Sequence, residues 1–134
     1  MNGRILVVDD EPIVARFLTE ILRRSYEVDT AQDARSALSM CESCDYDVLL
    51  TDWAMPGMTG VELIRETKAL DRPRKPTAIL MTGHAVEDQV HTLEALEVFA
   101  LLSKPMETAC LLDAVKRALD SHRRPNEPRF PPAP

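Results

Sequence analysis

The stretch LLTDWAMPGMTG, residues 49–60, climbs through an apolar run, reaches a single carboxylate and breaks into a loop holding Pro56, Gly57 and Gly60. Val48-Leu49-Leu50 reads as a strand that delivers Thr51 and Asp52 to its tip. Apolar runs without alternation mark strands covered on both faces, the habit of a parallel sheet. Four further short runs rich in Val, Ile and Leu repeat the pattern. The expected strands are Arg4–Val8, Tyr26–Thr30, Asp47–Thr51, Thr77–Met81 and Val98–Leu102.

Segments of helical spacing separate them. Ile13, Val14, Phe17, Leu18, Ile21 and Leu22 form the clearest, with Pro12 suited to a first turn. The others are Asp33–Glu42, Gly60–Leu70, Val86–Leu96 and Glu107–His122, the last with Leu112, Val115 and Leu119 on one face. Strands alternating with helices in a chain of 134 residues predict one small, doubly wound α/β domain. Ligands of such sheets bind beyond the carboxyl ends of the strands.

Composition narrows the function classes. A net charge of -6 and a pI near 5.0 argue against a nucleic-acid surface, which needs clustered Lys and Arg. The run Ile5–Val8 is too short for a secretory leader and ends in Asp9, Asp10 and Glu11. Nothing approaches the roughly 18 apolar residues of a membrane span, so a cytoplasmic protein is expected. Cys41 and Cys44 have CxxC spacing, but they fall near the end of a helical pattern, not at its start where reactive thiols sit. With Cys110 they are read as ordinary, partly buried thiols.

The strand ends carry the chemistry. The first ends in Asp9-Asp10, the third in Asp52, the fourth in Thr82 and the fifth in Ser103-Lys104-Pro105. Each alone reads as a turn or helix cap. Together they place three acids, a hydroxyl and an amine along one edge. Crowded carboxylates either raise a pKa or surround a cation, and an all-oxygen cluster suits Mg²⁺, whose habitual companion is phosphate. Asp52 is then a candidate nucleophile for an aspartyl phosphate, with Thr82 and Lys104 placed to hold phosphoryl oxygens.

VVDDE, LLTDWAMPGMTG, LMTGHA and LLSKPM, in that order, resemble the receiver domain of two-component response regulators. The resemblance runs from Asn2 to about His122, which makes residues 1–122 the domain. It implies a flavodoxin-like five-stranded parallel sheet of order 2-1-3-4-5 with five helices. It implies Asp52 as phosphoacceptor, Thr82 as switch hydroxyl, Lys104 as phosphate partner and a cis Lys104–Pro105 bond. Mg²⁺ would be held by Asp10, Asp52 and the Ala54 carbonyl, with Asp9 acting through water. The implied partners are a histidine kinase or phosphotransfer protein, and an output protein or an output domain outside this chain. Direct nucleic-acid binding is not expected, and homodimerisation through the face of the fourth helix, fifth strand and fifth helix is left open.

The departures are specific. Leu101 replaces the Tyr or Phe common three residues before the lysine, and Phe99 is expected on the same strand face as Leu101. Glu97 stands where many members of that family carry glycine after the fourth helix, so that helix end is expected to be built differently. By the resemblance, Ala54 and His84 occupy positions that tune phosphoryl lifetime in that family, and Ala54 offers no amide or acid to position an attacking water. His84, His91 and His122 are read as solvated or half-buried, Trp53 as a loop aromatic, and Met55 and Met58 as loop packing. Residues 123–134, with five prolines, read as a flexible tail or the start of a linker.

The leading function is a phosphorylation-controlled switch that catalyses only its own modification. A relay carrier and an unphosphorylated scaffold are the alternatives. A haloacid-dehalogenase-type phosphatase would need a second Asp at position 54, where this chain has alanine.

Overall fold

The computed structural model describes residues 3–83 and 90–122. Five strands alternate with five helices: β1 Arg4–Val8, α1 Pro12–Leu22, β2 Glu27–Ala31, α2 Ala34–Ser43, β3 Val48–Asp52, α3 Gly60–Lys68, β4 Thr77–Thr82, α4 Val90–Ala95, β5 Ala100–Ser103 and α5 Thr108–His122. The strands pair in parallel in the order β2-β1-β3-β4-β5. This is the doubly wound, flavodoxin-like sheet expected from the sequence.

Strand alternation divides the core in two. Ile5, Val7, Leu50, Ile79 and Met81 face α1 and α5, where Leu18, Leu22, Leu111 and Val115 cover them. Leu6, Val8, Leu49 and Leu80 face the opposite layer, which supplies Ala37, Leu63, Ile64 and Leu93. Fully burying each aliphatic side chain contributes about 1.5–3 kcal/mol. All five residues of β3 are buried, so the central strand is covered along its whole length.

Local signals set several helix starts. Asp33 caps α2 by accepting from the Ser36 amide at 2.7 Å. Thr59 and Glu62 close a reciprocal capping box at the start of α3. Pro12 opens α1, which has no side-chain cap.

The structure corrects several expectations. In α5 the sheet takes Leu111, Ala114, Val115, Ala118 and Leu119, and Leu112 is 37 % exposed. The small alanines let the helix lie close to the sheet along that stripe. Phe99 packs with Ala100 and Leu102 on the α1/α5 layer, whereas Leu101 packs on the other. Phe99 precedes β5, so strand alternation does not govern it. Glu97 adopts φ 56°, the left-handed conformation that glycine would take, so the end of α4 is built in the glycine manner after all. Of the helix expected over Val86–Leu96, residues 86–89 lie outside the described residues, as do His84 and the tail 123–134. Cys110 is exposed, Cys44 half-buried and Cys41 buried, its thiol pushed up to about 11 by burial.

Candidate functional site

The register brings the strand ends level. Val8 pairs with Thr51, Thr51 with Leu80, Asp52 with Met81 and Thr82 with Ser103. Asp9 and Asp10 therefore leave β1 beside the tip of β3, and Lys104 leaves β5 beside Thr82. Asp9 and Asp52 are buried and Asp10 is half-buried, and their three carboxylates offer oxygens within 4.8 Å of one another.

Lys104 organises the cluster. Its ammonium donates to Asp9 Oδ2 at 2.9 Å and lies 3.2 Å from Asp52 Oδ1. The other Asp9 oxygen accepts the Glu11 amide at 2.9 Å, so both oxygens of this fully buried carboxylate are engaged. The Lys104 backbone is fixed too, its amide donating to the Thr82 carbonyl at 2.7 Å, and the Lys104–Pro105 bond is cis.

Electrostatics separate the two charged partners. Burial pushes the Asp52 carboxyl above the usual carboxylate range; Lys104 opposes the shift, and Asp9 and Asp10 add to it. Burial alone would lower the Lys104 ammonium, but its hydrogen bond and charge pairing with Asp9, joined by Asp52, raise it. Lys104 therefore stays charged.

The donor set fits a hard divalent cation. All three groups are carboxylates, one of them partly open to water, and Mg²⁺ binds through few protein oxygens while keeping waters. Of the residues expected to act together, Asp9, Asp10, Asp52 and Lys104 converge directly, and buried Thr82 ends the strand next to Asp52. Ala54 lies two residues beyond Asp52 in an exposed part of the loop, while Met55 is buried and Met58 packs on the core.

Two features escape a reading of strand tips. The buried Thr51 hydroxyl donates to the Asp52 carbonyl at 2.9 Å. The backbone of Gly60 lies so near that a Cβ there would fall 2.1 Å from the same oxygen. A hydroxyl inside an apolar strand was the one visible sign.

Comparison with known proteins agrees with this geometry. The family described as the response regulator receiver domain matches residues 5–116. The chain is 32% identical over 119 residues to the chemotaxis protein CheY of Pseudomonas aeruginosa, covering 87% of this chain and 96% of that protein. It is 29% identical to the sporulation initiation phosphotransferase F of Bacillus subtilis, across 89% of this chain and 95% of the relative. Among solved structures, a CheY-like receiver domain protein from Methanospirillum hungatei superposes with a TM-score of 0.84 at 29% identity, covering 94% of this chain and all of that one.

Proposed function

Because the chain belongs to the response regulator receiver family of two-component signalling, we propose that it accepts a phosphoryl group on Asp52 and works as a phosphorylation-controlled switch. The observation that carries this reading is the Lys104 ammonium bridging Asp9 and Asp52 in a carboxylate cluster beside Thr82. The donor is the phosphohistidine of a kinase or phosphotransfer protein.

An Asp52 oxygen attacks the phosphorus, an O–P bond forms and the P–N bond to the donor imidazole breaks. The electron pair of that bond stays on the imidazole nitrogen. Lys104 keeps Asp9 and exchanges its contact with Asp52 Oδ1 for a phosphoryl oxygen, and the Thr82 hydroxyl donates to another. Asp10, Asp52 and the Ala54 carbonyl, with Asp9 acting through water, would hold Mg²⁺, which would supply charge neutralisation at the transferred group. The protein catalyses only its own phosphorylation and dephosphorylation.

The approach of a protein donor is supported by α1, which starts two residues after Asp10. Its Ile13 is 84% exposed and Phe17, one turn further, 54% exposed, an apolar footing beside the site. Output follows from the other side: movement at Thr82 repacks the face of α4, β5 and α5 for a partner or output domain. Leu101 makes that face respond without an aromatic swing. A cytoplasmic place of action belongs to the proposal; of the described residues it is observed only that no helix is long and apolar enough to cross a membrane.

Intact mass after treatment with acetyl phosphate tests the reading. One added phosphoryl group that needs Mg²⁺, vanishes with EDTA and is absent from Asp52→Asn is expected. No adduct, together with no binding of beryllofluoride, would leave only a scaffold. The likeness to a sporulation phosphotransferase supports a second form of the same chemistry, a relay carrier. Return of the group from Asp52 to a phosphotransfer histidine faster than its hydrolysis would single that form out.

A further inference from the structure

Thr51 is fully buried in the central strand, where valine would fill the same volume. A buried hydroxyl destabilises by about 1–3 kcal/mol unless it finds a partner. Its partner here is the carbonyl oxygen of the next residue, Asp52, at 2.9 Å.

Gly60 meets the same oxygen from the opposite end of the loop. A Cβ on Gly60 would lie 2.1 Å from the Asp52 oxygen, 3.0 Å from its carbonyl carbon and 3.0 Å from Leu80 Cδ1. Positive φ among the described glycines occurs at Gly3 and Gly57 and not here, so closeness of approach, not backbone conformation, demands glycine. The Gly60 amide also donates to the Trp53 carbonyl at 2.9 Å, and the Trp53 amide donates to the Met81 carbonyl on β4 at 2.9 Å.

These contacts close on two successive peptide planes. The plane joining Asp52 to Trp53 is held at its N–H by β4 and at its C=O by Thr51 and Gly60. The plane joining Trp53 to Ala54 is held at its C=O by Gly60. The first plane begins at the Asp52 Cα that bears the carboxylate, and the second ends at the Ala54 amide.

We propose that Thr51 and Gly60 are positioning residues, a backbone clamp that fixes the Asp52 carbonyl and so aims the Asp52 carboxylate and the Ala54 backbone at the transferred group. The inference rests on the reading of Asp52 as phosphoacceptor. Neither residue touches the phosphoryl group; both act through the Asp52 and Trp53 peptides. Misplacement by about 1 Å can slow a reaction on the order of 100-fold, so a single lost hydrogen bond that loosens the aim is measurable.

The decisive comparison is Thr51→Val against Thr51→Ser, each treated with acetyl phosphate across a Mg²⁺ titration. Thr51→Val is expected to lower the phosphorylation rate at saturating Mg²⁺ about 5- to 10-fold, the loss of one hydrogen bond, while remaining folded with at most a modest fall in melting temperature, since valine fills the volume but leaves the Asp52 carbonyl without its hydroxyl donor. Thr51→Ser restores the rate. Without metal, amide exchange at Trp53 is expected to quicken in Thr51→Val while Val48 to Leu50 stay protected. A merely structural threonine would move the melting temperature and leave the rate alone.

Wild-type rates in Thr51→Val, with unchanged exchange at Trp53, would overturn the clamp. Wild type that takes no phosphoryl group would instead overturn the reading of Asp52, and the exchange experiment would still decide whether the clamp holds. Gly60→Ala, wherever it folds, is expected to lose more than 10-fold because Asp52 must shift to admit the methyl group; a folded Gly60→Ala with wild-type rates would also overturn the clamp.

Discussion

At Asp52, burial opposes the charge, Lys104 supports it, and Asp9 and Asp10 oppose it again. Opposition prevails and the pKa stands above the ordinary carboxylate range. A carboxyl raised in the fold penalises stability once ionised. The penalty is full above the folded pKa and fades as pH falls toward the unfolded value. Asp52→Asn keeps the shape and removes the charge, and Lys104 retains Asp9 as its partner. The variant is therefore expected to melt higher than wild type at neutral pH, by about 4 °C for each 1 kcal/mol of relief. The gain should shrink on acidification. Millimolar Mg²⁺ should raise the melting temperature of wild type more than that of the variant, since a ligand of the folded state stabilises by mass action. Equal melting of the two proteins with and without Mg²⁺ at pH 7 would contradict this. The acids and Lys104 were legible because apolar runs deliver them to one edge. Thr51 showed only as a hydroxyl inside an apolar strand, and Gly60 not at all, because what they do lies in contacts to backbone carbonyls, which side-chain chemistry does not announce.

Among the elements, α4 closes in a way that its sequence disguises. The Val98 amide donates to the Leu93 carbonyl at 3.1 Å and the Glu97 amide to the Glu94 carbonyl at 3.0 Å, with Glu97 at φ 56° between them. These are the paired bonds of a Schellman closure, which favours glycine at the left-handed position. A Cβ there costs roughly 1–2 kcal/mol. Glu97→Gly is expected to raise stability by about 1 kcal/mol, less than the full strain because glycine also gains freedom in the unfolded chain. Denaturant midpoints of Glu97→Gly and Glu97→Ala would check it: a gain confined to glycine supports the strain, and an equal gain in both removes it. In α1, Ile13 and Phe17 lie outside the core that Ala15, Leu18 and Leu22 enter. Ile13→Ser and Phe17→Ser should hold stability within about 0.5 kcal/mol. Phosphorylation by acetyl phosphate should stay unchanged, while transfer from a phosphohistidine protein slows. Equal slowing with both donors would place the defect in Asp52 chemistry instead. Element order was readable from the alternation of apolar runs and helical spacing, but boundaries followed backbone closure. Val98, expected to open the fifth strand, completes the end of α4. Leu111 and Leu112 are both apolar, and only the fit of Ala114 and Ala118 to the sheet decides between them.

Across the whole molecule the sheet separates two polar clusters, the carboxylate site at one edge and His122 at the other. The His122 side chain is 7% exposed, with Nε2 3.3 Å from Asp47 Oδ1 and Nδ1 3.3 Å from the Thr77 hydroxyl. Asp47 also accepts the Arg4 amide at 2.8 Å, and Arg74 donates to the His122 carbonyl at 2.7 Å. The end of α5 is thereby tied to the starts of β1, β3 and β4. A neutral ring with its proton on Nε2 satisfies both contacts, donating to Asp47 and accepting from Thr77. Burial, assisted by Arg74, lowers the His122 pKa against the pull of Asp47. A histidine lowered in the fold leaves stability unaffected well above its unfolded pKa of about 6.5, because both states are then neutral. As pH falls below that value the unfolded chain takes up a proton that the folded ring resists, and stability declines until the folded pKa is passed. The slope from this one group cannot exceed about 1.4 kcal/mol per pH unit. His122→Gln removes the titration, so the difference in unfolding free energy between wild type and variant should change between pH 7 and pH 5 and move in favour of the variant on acidification. Subtraction isolates the ring, because Asp52 and the other carboxylates are common to both proteins. A difference that stays flat would show that the ring titrates alike in folded and unfolded chains, and one that grows in favour of wild type would show Asp47 prevailing over burial. The site at the opposite edge provides the control: acetyl phosphate labelling of His122→Gln at pH 7 should match wild type, since the tie holds the end of α5 and not the tips of β1, β3 and β4.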